Sequence, residues 1–144
     1  MNRLPIVALA LALAVTALAS REPSLEELIA RAKAAPLREQ PALCVEIAER
    51  QLKSADELYA AGKVEEARKS VASLVTYSEQ AHDAAIQSGK KLKSVEMAMR
   101  KMSHRLKDVR RTLNFEDQTP VAEAAERLDK LADDLLAKMF GKDK

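Results

Sequence analysis

The chain has 144 residues, with 24 Lys or Arg against 22 Asp or Glu, two Tyr, two Phe and no Trp. A balance this close to neutral, with no aromatics interleaved among the basic residues for base stacking, argues against nucleic acid as a partner. Three isolated glycines exclude a phosphate-cradling loop, and abundant Ala, Leu, Glu and Lys predict an all-α protein, because these side chains lose little rotamer freedom in a helix.

The first segment, MNRLPIVALALALAVTALAS, has one positive charge at Arg3, an uncharged run from Leu4 to Ala19, and small residues at Ala17, Ala19 and Ser20. This is the pattern of a secretory signal peptide over 1–19, with cleavage after Ala19. The apolar run is shorter than the ~20 residues of a spanning helix. The expected product is an exported chain, periplasmic or extracellular, of about 125 residues, one ordinary domain, with no transmembrane segment after cleavage. The lone cysteine, Cys44, forms no internal disulfide; it either packs as a small buried hydrophobe or bridges two chains.

Ser24-Leu25-Glu26-Glu27 has the form of a capping box and opens a short helix over 24–35, ended by Pro36. Pro41 suits the first turn of a second helix, about 42–61, with Leu43, Ile47, Leu52, Ala55 and Leu58 on one apolar face. Gly62 closes it. From Val64 a seven-residue repeat places Val64, Val71, Ser78, Ala85, Leu92, Met99, Leu106 and Leu113 at one seam position. Ala67, Leu74, Ala81, Ser88, Val95, Met102 and Val109 fill the other. No charge occupies this seam, and the phase holds across Gly89. It predicts one long coiled-coil-like helix over about 63–114, roughly 75 Å long. The alternative is a break at Gly89, where a helical glycine costs up to ~1 kcal/mol, giving a compact four-helix bundle.

Thr119 and Pro120 open the last helix, about 119–140, with Val121, Ala124, Ala125, Leu128, Leu131, Leu135 and Met139 on its apolar face. Folded back antiparallel, it sets Leu106 against Leu128, Met102 against Leu131 or Ala132, Met99 against Leu135 and Val95 against Met139. The same register puts Arg105 opposite Asp129, Arg110 near Glu123 and Glu96 opposite Lys138. The predicted domain, 41–140, is a set of antiparallel hairpins on a long central helix. Such a rod leaves its seam half covered, so a homodimer along it is expected.

Lys90 to Arg111 is densely basic. Lys91, Arg105 and Arg110 flank the seam, within reach of the acidic last helix. Lys90, Lys93, Arg100, Lys101, Lys107 and Arg111 fall on the outer face, where they either keep the helix soluble or form a candidate anion-facing surface. Met97 lies beside them, whereas Met99 and Met102 belong to the seam. Glu79-x-x-His82 has the form of a di-iron ligand pair, but that chemistry needs a second copy, and His104 has no Glu three residues before it. A structural pair is expected, with no metal, no cofactor and no catalytic residue, since no nucleophile has a base partner nearby in sequence.

Two resemblances add context. Leu58-Tyr59-Ala60-Ala61-Gly62-Lys63-Val64-Glu65-Glu66-Ala67 resembles the centre of a tetratricopeptide repeat, over one hairpin with no second copy at the 34-residue period. The stretch Ala85 to Pro120, with Arg100-Lys101-Met102, Arg110-Arg111-Thr112-Leu113 and Phe115-Glu116-Asp117-Gln118, is similar to an uncharacterised family of small exported all-helical bacterial proteins. That likeness implies a bacterial envelope setting and carries no functional residues. The expected function is a non-catalytic helical interaction or scaffold protein of the cell envelope, binding itself or another envelope protein. The alternative is a peripheral binder of anionic lipid or envelope polymer through 90–111. A small chaperone would need an exposed apolar groove, which the sequence does not place.

Overall fold

The computed structural model describes residues 22–141; the expected signal segment, 1–19, lies outside them. Five helices follow in order: α1 (Leu25–Ala34), α2 (Gln40–Ala60), α3 (Val64–Ser88), α4 (Leu92–Arg111) and α5 (Gln118–Met139). The protein is all-α, with no strand among the described residues.

Local signals account for most of the ends. Ser24 caps α1 by accepting the Glu27 amide at 3.2 Å, satisfying one of the donors a helix start leaves open. Gly62, at φ 76°, makes the tight turn from α2 to α3, a conformation that glycine adopts without steric cost. The last helix starts one residue earlier than expected, at Gln118, and Thr119 is no cap: the capping position is Asp117, without a side-chain bond.

The long helix does not exist. Gly89 stands at φ 68° and Lys91 at φ 67°, so the chain leaves α3, turns within three residues and re-enters as α4. The turn is held by the Gly89 amide on the Ala85 carbonyl at 2.9 Å, the Lys90 amide on Ser88 Oγ at 3.2 Å and Ser94 Oγ on the Lys91 carbonyl at 3.1 Å. A left-handed lysine costs about 1–2 kcal/mol. The return is larger. Val95, Met99, Met102, Leu106 and Val109 are each at most 4% exposed, and full burial of such side chains contributes roughly 1.5–3 kcal/mol apiece. The unbroken heptad phase reports the buried face and says nothing about continuity.

Two hairpins, α2–α3 and α4–α5, lie side by side as a four-helix bundle. Ion pairs Arg68–Asp117, Arg127–Glu79 and His82–Asp134 advance together along α3 and α5, so these helices run parallel. Arg105 of α4 meets Asp56 of α2, while Ala98 and Lys101 lie beside Glu49 and Leu52, so α2 and α4 are parallel as well. Helix pairs stacked this way are the building plan of α-solenoids. No seam position between Val64 and Leu113 is exposed, so the half-covered seam that motivated a homodimer is closed within one chain.

Within the second hairpin the expected register holds. Lys107 bonds Asp129 at 2.8 Å, Arg100 bonds Asp133 at 2.7 Å, and the buried Ser103 hydroxyl donates to the Ala125 carbonyl at 3.2 Å. Cys44 is buried, 4% exposed, as the small-hydrophobe reading expected, and burial pushes its thiol pKa up.

Candidate functional site

The six outer basic residues do not form one free face. Arg100 is held by Glu96 at 3.0 Å and Asp133 at 2.7 Å. Lys107 is paired with Asp129, and Arg111 with Asp108 at 3.2 Å. Lys90, Lys93 and Lys101 are exposed and stand outside every ion pair between described residues. The sequence assigned neutralisation to the wrong members of the stripe. Arg105 pairs with Asp56 of α2 in place of Asp129, and Glu96 pairs with Arg100. For Arg105 the cause is the neighbouring hairpin: α2 lies where a rod would have had solvent.

Asp129 shows how these pairs act. Burial pushes its carboxyl up, but the hydrogen bond from Lys107, with the charges of Lys107 and Arg100, outweighs that and holds it below the usual value.

Glu79 and His82 part company. Glu79 accepts from Arg127 Nε at 2.9 Å. His82 is bracketed by Asp83 at 2.8 Å on Nδ1 and Asp134 at 2.6 Å on Nε2. Both residues serve to clamp α3 to α5, and no group of three or more His, Cys, Asp or Glu among the described residues could hold a metal ion.

The same α3–α5 contact leaves a groove that sequence reasoning missed. It encloses about 380 Å³, floored by Val71, Val75, Pro120 and Ala124, with exposed Ala72 at its lip. Arg68 and Arg127 flank it, and Glu123 stands on its rim. Arg68 donates to Glu65 at 2.9 Å and to Asp117 at 3.4 Å, yet its Nε is buried with no partner. The hydroxyl of Tyr59 is also buried and unbonded. Burial raises the Tyr59 pKa, the Arg68 charge opposes this, and Asp117 and Glu65 reinforce it. A desolvated donor left unbonded costs about 1–3 kcal/mol, and it favours any acceptor placed against it. No local pattern could have revealed this groove, because α3 and α5 are not consecutive and meet only once the hairpins stack.

Comparison with family models, with curated proteins and with solved structures gave no match to this chain.

Proposed function

We propose that this protein is an exported, non-catalytic helical interaction protein of the cell envelope. The groove between α3 and α5 is the observation that carries the reading. Its apolar floor would take the hydrophobic side of a partner segment, and the guanidinium groups of Arg68 and Arg127 on its flanks would take a carbonyl or carboxylate from the same segment. The signal-like start of the sequence supports the envelope setting.

The test is a photo-reactive amino acid at position 72, introduced into the whole chain in its native cells. Position 126, on the exposed outer side of α5, serves as the control. The expected outcome is a defined cross-linked peptide from position 72 that vanishes when Val75→Glu places a charge on the floor. Cross-links of the same pattern from positions 72 and 126 would sink the reading.

A further inference from the structure

The α4–α5 register concentrates a second feature at one end of the bundle. From the Arg100–Asp133 bond, seven residues back along α4 lead to Lys93 and seven forward along antiparallel α5 lead to Phe140, so these two come level. Phe140 is 71% exposed and Met97 57%, large apolar groups turned to solvent at the same end as the α3–α4 turn. That turn presents Lys90 and Lys91, both exposed, with Lys93 following on the first turn of α4. Beside Phe140, Leu136 and Ala137 line a shallow apolar hollow of about 280 Å³.

Among the described residues, the acids nearest this end are already engaged. Glu96 and Asp133 are held by Arg100, and Asp83 and Asp134 by His82. Lys90, Lys91 and Lys93 are exposed and make no ion pair with a described acid, while Arg100, Lys107 and Arg111 further along α4 are each paired. Exposed apolar side chains surrounded by free lysines match the chemistry of a bilayer surface, where phosphate charge and acyl chains lie a few ångströms apart.

We propose that this tip, built from Lys90, Lys91, Lys93, Met97 and Phe140, docks the protein peripherally on a membrane surface rich in anionic phospholipid. The lysines meet the phosphates, and Phe140 and Met97 enter the headgroup boundary. The bundle would then stand on its end, leaving the α3–α5 groove facing sideways and open.

The experiment is co-sedimentation of the chain from Ser20 onward, which contains the entire described bundle, with vesicles of equal parts phosphatidylglycerol and phosphatidylcholine. Binding is expected to these vesicles and not to pure phosphatidylcholine, and to fall steeply between ~50 mM and ~500 mM salt. Replacing Lys90, Lys91 and Lys93 together by Glu should weaken it about a hundredfold or more, since each lysine at an anionic surface contributes roughly fivefold. Phe140→Ser should weaken it about tenfold, a change that leaves the core intact because the side chain is exposed. The pair Lys63→Glu and Lys69→Glu, exposed at the opposite end, should leave binding unaltered. No binding, equal binding to neutral vesicles, or equal loss from the variants at the two ends would each overturn the proposal.

Discussion

Asp129 illustrates how single side chains hold the second hairpin together. Its carboxyl accepts from Lys107 at 2.8 Å and is held below its ordinary pKa despite partial burial. A carboxyl with a lowered folded-state pKa stabilises the protein above the ordinary carboxyl range, near ~4, and loses that contribution as pH falls through the lowered value. Asp129→Asn should therefore cost about 0.5–1 kcal/mol at neutral pH, after allowance for solvent screening. The deficit should shrink as pH falls from the ordinary carboxyl range through the lowered folded-state value. Urea unfolding of both proteins at neutral pH and across that range measures it; a deficit that does not change with pH would mean that packing, not charge, is lost. The partners of such residues were the least legible part of the sequence. The sequence placed Lys107 and Arg100 on the outer face, whereas they find Asp129 and Asp133 on α5, and Arg105, expected there, turns to Asp56 of α2.

Among the elements, the turn at residues 89–91 decides the architecture. Two left-handed residues in three positions cannot belong to a continuous helix, and opposite signs separate the alternatives. A Cβ added at Gly89 would meet nothing within 4 Å, so Gly89→Ala is strained only by its positive φ and should destabilise by about 1 kcal/mol. In an unbroken helix the same change would stabilise by up to ~1 kcal/mol. Lys91→Gly should stabilise by about 1 kcal/mol, since it relieves the left-handed lysine. Equilibrium urea midpoints of the two variants settle both. A related device recurs where α2 and α5 begin. Gln40 donates its side-chain amide to the Ala35 carbonyl at 3.0 Å, and Gln118 donates to the Leu113 carbonyl at 3.1 Å. Each ties a helix start to the end of the preceding helix across a single 3-10 turn, satisfying a carbonyl the preceding helix cannot.

For the whole molecule, the difference between a rod and a bundle is one of length. The longest helix, α3, has 25 residues, about 37 Å at 1.5 Å per residue. Small-angle scattering on the chain from Ser20 should give a maximum dimension well below the ~75 Å of an unbroken helix. A value near ~75 Å or above would mean that the hairpins separate in solution, and the groove between α3 and α5 would vanish with them. The groove and the basic tip are both products of this level of structure. The first exists because two hairpins stack in parallel, the second because α5 ends beside the α3–α4 turn.

The sequence by itself determined which residues face inward. A charge-free seven-residue spacing must be buried wherever its helix goes, so the seam from Val64 to Leu113 and the apolar face of α5 were legible before any fold was known. It also determined the turn at Gly62 and the register of α4 on α5, because short connections leave few ways to pair neighbouring helices. The tertiary structure alone decided whether the seam ran straight or folded back. A break at Gly89 and a bent helix there differ locally by one or two kilocalories per mole, and the hydrophobic term that selects the break comes from residues far along the chain. It likewise decided the partner of Arg105, since Asp56 lies on α2 and reaches it only after the two hairpins have packed.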